Sequence, residues 1–223
     1  MEEYENFSDL TKKERENIDF RVSVTCRDSS STVVLAPHGG GIEPGTSEIA
    51  REIAGDDFSF ADFAGIKSSG NARLHLTSTN FDEPRCLKLV HAASEVLAIH
   101  GEESARPVVF LGGKDHELGA RIGATLIAAG FTVQTHQNPE LQGVAAYNIC
   151  NRGRTGAGVQ LELSRGLRAL FFENLKAAGR KNPTSELPRF ASAIRQALHE
   201  RERLASSREK RQFLERSERA PAK

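Results

Sequence analysis

Val33-Val34-Leu35-Ala36-Pro37-His38-Gly39-Gly40-Gly41-Ile42-Glu43 is the stretch that decides how this chain of 223 residues is read. Four apolar residues in succession predict a buried strand over 33–36, and the run ends in a histidine, three glycines and a carboxylate. The glycines let the backbone turn sharply and clear bulk from beside His38 and Glu43. An imidazole and a carboxylate at the mouth of a strand are two of the three protein ligands that a catalytic metal site uses.

Working outward, short runs predict further strands over 58–63, 73–77, 95–99, 108–111, 131–134 and 159–163. Helical patterns fall between them over 47–54, 84–91, 117–129 and 165–178, with Pro84 suited to a first helical turn and Gly130 to a helix stop. This alternation predicts an α/β fold in a single domain, with a mixed, mostly parallel sheet flanked by helices. Residues 1–25 read as a polar N-terminal segment with a helix over 10–18. Residues 181–223 read as a helix with a charged tail, in which Leu187, Phe190, Ile194, Ala197 and Leu198 form an apolar stripe.

The composition is that of a soluble globular protein, 38% hydrophobic and 27% charged, and Lys plus Arg equal Asp plus Glu at 30 each. No global charge draws the chain to nucleic acid or to a membrane. The first twenty residues are acidic and the last thirty basic, so the two ends could attract one another. Cys26, Cys86 and Cys150 are odd in number and widely spaced, which predicts free thiols in a reducing compartment. No apolar run reaches the ~18 residues of a membrane span, and the first residues are acidic where a signal peptide is basic. The expected location is the cytoplasm, or the medium after lysis.

The third metal ligand is sought at another strand end. Val96-Leu97-Ala98-Ile99 is a second buried-strand run, and His100-Gly101 closes it as His38-Gly39 closes the first. If the two strands are parallel neighbours, both imidazoles project beyond the carboxyl edge of the sheet, where α/β proteins gather ligands. A general base is needed next. In Val159-Gln160-Leu161-Glu162-Leu163-Ser164-Arg165, Glu162 lies inside an apolar strand, where a lone carboxylate is costly unless it is paired, for instance with Arg165, or functional. In the functional case Glu162 takes a proton from the attacking water and passes it to the leaving nitrogen, the metal having lowered the water's pKa from 15.7 to about 7.

Three other readings are set aside. His38-Gly39-Gly40-Gly41 also matches the oxyanion loop of serine esterases, but no Gly-x-Ser-x-Gly elbow accompanies it. Gly153-Arg154-Thr155-Gly156-Ala157-Gly158 lacks the ending of a phosphate loop and runs into a strand. The basic tail interleaves glutamates and carries few aromatics, so it reads as a solvated helix and not as a nucleic-acid arm.

Taken in order, His38-Gly-Gly-Gly-Ile-Glu43, Leu74-His75-Leu76-Thr77-Ser78, Phe81-Asp82-Glu83-Pro84, His100-Gly101, Gly112-Gly113, Asn148-Ile149-Cys150-Asn151-Arg152 and Gln160-Leu161-Glu162-Leu163-Ser164 resemble the poly-γ-glutamate hydrolase family of phages and bacteria. The resemblance covers about residues 30–175. It implies a fold similar to zinc carboxypeptidases, a Zn2+ ion held by His38, Glu43 and His100, and Glu162 as the catalytic carboxylate. In carboxypeptidases the first histidine and the glutamate are three positions apart; here they are five apart, and the glycine loop must absorb the difference. On this reading 26–180 is the hydrolase domain, and the partner is a polyanionic γ-glutamyl polymer. Arg152, Arg165 and Asn151 are the residues chosen to grip its carboxylates. His75, alternating with two leucines, either lines the cleft or is a satisfied core histidine. The other readings compatible with these residues are a zinc peptidase or amidase on a different carboxylate-rich substrate, and a metal-binding or regulatory protein without catalysis.

Overall fold

The computed structural model describes residues 3–218, with side chains in the last helix as far as Ser207. Its strands are β1 (Phe20–Thr25), β2 (Thr32–Gly40), β3 (Ser59–Gly65), β4 (Glu95–Glu102), β5 (Val109–Gly113), β6 (Val133–Gln134) and β7 (Val159–Ser164), in one sheet ordered β1-β3-β2-β4-β7-β5-β6. The central four, β3, β2, β4 and β7, are parallel. On the two flanks, β1 runs antiparallel to β3 and β5 antiparallel to β7. The mixed, mostly parallel sheet expected from the alternation is what forms.

Strand residues of one parity bury one face and those of the other parity bury the other, as a pleated strand requires. Val34, Ala36, Leu97, Ile99, Leu161 and Leu163 pack against α2 (Thr46–Ala54), α4 (His116–Ala128) and α6 (Glu186–Glu218). The five stripe residues of α6 are all buried there. Val33, Leu35, Val96 and Ala98 face the opposite core, roofed by α1 (Phe7–Leu10), α3 (Pro84–Ala92) and the 3-10 turns Asn71–Leu74 and Ile149–Arg152. The Glu83 carboxylate accepts from Cys86 N–H at 2.8 Å, and Pro84 occupies the first turn of α3 as its fixed φ favours.

Several local expectations give way. The helix read over 10–18 is α1 followed by turns, and residues 4–25 are part of the layered body: Tyr4, Leu10 and Phe20 are buried in the second core, and β1 borders the sheet. The 73–77 segment is a 3-10 turn followed by extended chain with no ladder partner, although Leu74 and Leu76 are buried as their alternation suggested. The helix read over 165–178 stops as α5 (Arg165–Leu170), because Phe171 and Phe172 turn into the core and Phe172 bridges to Pro183. The chain ends do not attract one another among the described residues. Acids of the N-terminal segment meet Lys67 and Arg85, while Arg201 of α6 meets Glu95, Asp115 and Glu117. All three cysteines are free, Cys86 and Cys150 buried and Cys26 exposed, and among the described residues no helix is long and apolar enough to cross a membrane.

If the N-terminal segment is part of the core, Leu10→Ala removes a fully buried side chain and should destabilise the whole domain by about 2–5 kcal/mol. Urea unfolding followed by circular dichroism reads this as a lower midpoint at constant slope. An unchanged midpoint would show the segment to be peripheral.

Candidate metal centre and cleft

The site begins with a fault in β2. Ala36 pairs with Asp62 and Gly39 with Ala64, so β2 spends three steps where β3 spends two. By strict alternation His38 would share the face of Val34 and Ala36. The extra residue turns it to the face of Val33 and Leu35, which is how bulges re-aim side chains. Pro37, which has no N–H to give a ladder, sits within this irregularity. His38 Nε2 then lies 2.7 Å from the carbonyl of Leu76. A carbonyl only accepts, so Nε2 carries a proton and Nδ1 is the ring nitrogen presented to the cleft.

The glycine loop folds Glu43 back onto the same histidine. Glu43 N–H donates to His38 O at 2.9 Å, and Gly40 adopts φ +65°, a left-handed conformation that glycine takes without strain. Beneath the loop, Ser47 Oγ donates to Asp62 Oδ1 at 2.7 Å and accepts from Gly40 N–H at 2.8 Å. A Cβ on Gly39 would fall directly on both of those oxygens, so this position has room for hydrogen alone.

His100 arrives from β4. Its register partner on the adjacent parallel strand is Glu162 of β7, which places both side chains at one level on one face. His100 Nδ1 stands 3.2 Å from His38 Nδ1 and 3.9 Å from Glu43 Oε2, while Glu43 Oε1 is 3.1 Å from His38 Nδ1. Gly101 N–H donates to Glu43 Oε2 at 2.7 Å. His75 completes the cluster, its Nε2 3.7 Å from Glu43 Oε1 and its ring stacked on His38 at 3.9 Å between centroids. His38, Glu43 and His75 each offer a ligand atom within 4.8 Å of the others.

These donors fit a divalent cation. Nitrogen ligands about 2.0–2.1 Å from a tetrahedral zinc lie roughly 3.3 Å apart, close to the separation of the two Nδ1 atoms. Burial lowers the pKa of His100 to about 3, so its ring is the neutral form that ligates. Burial alone would raise that of Glu43, but His38, His100 and the Gly101 N–H outweigh it and hold the carboxyl to about 2. His100 Nε2 is buried without a hydrogen-bond partner, so no protein group fixes its proton as Leu76 fixes that of His38.

Glu162 shares the same cavity of about 860 Å³. Burial first, and then the charges of Glu43 and Glu102, push its carboxyl well above the usual range. The expected alternative, an ion pair with Arg165, does not form; Arg165 is exposed and meets Glu103 at 3.4 Å on the cleft rim. Instead Gln160 Nε2 donates to Glu162 Oε1 at 2.9 Å, and Asn148 Nδ2 donates to Gln160 Oε1 at 2.8 Å. The sequence does carry a signal for this relay: Gln160 and Glu162 are two apart in an apolar strand and therefore on one face.

Of the residues chosen to grip substrate, His75 alone lines the cavity. Arg152 donates to the carbonyls of Tyr147, Phe81 and Thr79, which ties the 139–152 wall to the turn before α3. Asn151 is buried and donates to Gly143 O and Ala145 O. Both brace the cleft from behind.

The geometry describes an α/β protein with a cleft at the carboxyl ends of parallel strands, where three imidazoles and two carboxylates converge. The family model for poly-gamma-glutamate hydrolase matches residues 4–193, and the chain belongs to that family, which is one of enzymes. It is 37% identical over 187 residues to the SPbeta prophage-derived UPF0714 protein YoqZ of Bacillus subtilis (strain 168), an alignment covering 83% of this chain and 67% of YoqZ. It is 41% identical over 170 residues to UPF0714 protein YndL of the same organism, covering 76% of this chain and 66% of YndL. Among solved structures, a bacteriophage poly-gamma-glutamate hydrolase superposes with a TM-score of 0.87 at 31% identity, covering 92% of this chain and all of that one. The zinc-free apo form of YndL superposes with a TM-score of 0.83 at 35% identity, covering 89% and 98%. The family model extends beyond the 30–175 span of the sequence resemblance, taking in the N-terminal segment that the fold also incorporates.

The brace beneath the loop gives a direct test. Gly39→Ala forces its methyl onto Asp62 and Ser47, and should cost about 1–3 kcal/mol of stability. Thermal unfolding compared with Gly123→Ala, where φ is likewise not positive and a Cβ meets only ordinary contacts at 3.8 Å and 3.9 Å, isolates the crowding. Equal losses in the two variants would remove the packing argument.

Proposed function

We propose that the protein hydrolyses γ-glutamyl amide bonds of poly-γ-glutamate, with Zn2+ held by His38, Glu43 and His100 and with Glu162 as the general base. The reading rests chiefly on one observation: two imidazole Nδ1 atoms 3.2 Å apart and the Glu43 carboxylate share a cavity with a buried second carboxylate. Family membership and the two structural relatives supply the substrate class.

The ion, when bound, supplies Lewis-acid chemistry, polarising the amide carbonyl and making water a better nucleophile near neutral pH. The chain's own groups do the rest. Glu162 accepts the proton of the attacking water and returns it to the leaving nitrogen. Its pKa, raised by burial and by the charges of Glu43 and Glu102, favours holding that proton until the leaving nitrogen takes it. Gln160 holds one carboxylate oxygen, so proton transfer falls to the other. His75, 39% exposed and facing the cavity, is the group placed to donate to a substrate carboxylate or to the oxygen of the tetrahedral intermediate. Leu76 O fixes the tautomer of His38, and the Gly101 N–H fixes the carboxylate of Glu43.

Glu162→Gln should reduce kcat on poly-γ-glutamate by about 10²–10⁴-fold while zinc per chain, read by elemental analysis, stays the same. Undiminished loss of polymer viscosity with that variant would sink the assignment. His100→Ala should lower bound zinc sharply, and His75→Ala should keep it. The reverse pattern would exchange those two residues in the ligand set.

A further inference from the structure

The catalytic cavity has the wrong sign for the substrate proposed above. Glu102, Glu103 and Glu140 line it together with Glu43 and Glu162, and no lysine or arginine does so among the described residues. A polymer with one carboxylate per residue gains little affinity there. Cations are gathered instead in a second groove of about 540 Å³, lined by Arg21, Arg51, Lys67, Lys176 and Arg180.

The groove and the cavity are neighbours across shared walls. Gly40 and Gly41 line the groove, while His38 and Glu43, at either end of the same loop, line the cavity. Likewise Asn71 belongs to the groove, and His75, four residues on, to the cavity. Two of the groove's five cations are already paired, Lys67 with Glu14 at 2.7 Å and Arg180 with Glu48 at 2.8 Å. Arg21, Arg51 and Lys176 are exposed and enter no ion pair among the described residues, and the Arg51 guanidinium is held 4.4 Å from the ring of Phe60. The acids on the groove are withdrawn. Asp62 is buried and bonded to Ser47, and one oxygen of Glu48 is on Arg180 while the other is buried.

We propose that this groove is a second subsite, in which Arg21, Arg51 and Lys176 hold carboxylates of the same γ-glutamyl polymer whose amide bond lies in the cavity. The proposal rests on the hydrolase reading and deepens it. Affinity for the polymer comes from the groove, bond cleavage from the cavity. A short γ-glutamyl oligomer carries few carboxylates beyond those beside its scissile bond, so the groove distinguishes long substrates from short ones.

The test compares the zinc-loaded full chain with Arg21→Gln/Arg51→Gln/Lys176→Gln and with a control of equal charge change, Lys12→Gln/Lys88→Gln/Lys114→Gln. On long poly-γ-glutamate at low ionic strength, the groove variant should raise KM about ten-fold with kcat unchanged, and added salt should abolish the difference. On a γ-glutamyl trimer, groove variant and wild type should be alike. Equal KM on the polymer, an equal rise in the control, or a matching loss on the trimer would each overturn the subsite. Binding of labelled polymer to Glu162→Gln, with and without the three groove substitutions, reads the groove without turnover. Failure of the wild type to cut polymer or trimer would sink the hydrolase reading, while this binding difference would still decide the groove. Competition by inorganic phosphate or by single-stranded DNA as strong as that by the polymer would reduce it to an unspecific anion site and overturn the assignment.

Discussion

The one extra residue in β2 between Ala36 and Gly39 is the constraint on which the site depends. Without it His38 would point into the apolar layer beside Val34 and Ala36, among the helices, where an unpaired imidazole costs free energy and meets neither Glu43 nor His100. With it the ring turns over, Leu76 O accepts a hydrogen bond from Nε2–H, and the loop closes through Glu43 N–H onto His38 O. The fault, the missing donor of Pro37 and the small residues after it are a single device. Each would be a defect in an ordinary central strand.

A site walled by irregular loops has to be held from outside. Arg168 is almost fully buried, and its guanidinium donates to Leu163 O and Glu102 O, in the last residues of β7 and β4, and to Pro44 O, just after the glycine loop. Burial lowers its pKa, yet an arginine in this setting stays charged, and three carbonyls compensate that charge. Arg152 does the same on the opposite wall with three other carbonyls. In both cases the planar fork works as a clamp on backbone, which is why the loops around the cavity can be irregular and still fixed.

This explains what the sequence could and could not disclose. Buried parallel strands advertise themselves as apolar runs, so 33–36, 95–99 and 159–163 were legible, and the histidines ending the first two pointed to the carboxyl edge of the sheet. The stripe on α6 was legible for the same reason, since 3.6-residue periodicity survives any context. β1 was not, because an edge strand with Arg21 and Ser23 in it alternates weakly and reads as a polar lead-in. Residues 73–77 misled in the opposite direction: alternation arises wherever extended chain lies on a core, whether or not a neighbour pairs with it. Arginines were the least legible. Their spacing is identical whether they grip a substrate or the backbone, and burial separates the two only in three dimensions.

The division of charge between the two cavities follows from the chemistry each must serve. On the proposed reading, a metal ion held by imidazoles and the Glu43 carboxylate favours acidic surroundings, and Glu102, Glu103 and Glu140 line that cavity. On the same reading, an arginine placed there to attract a polyanion would compete with the metal for Glu43 and would lower the pKa of Glu162. The surroundings that favour the metal and the base therefore oppose the binding of the substrate. Setting the cations beyond the glycine loop, with Asp62 and Glu48 turned inward, places the two sets of charges on opposite sides of one wall.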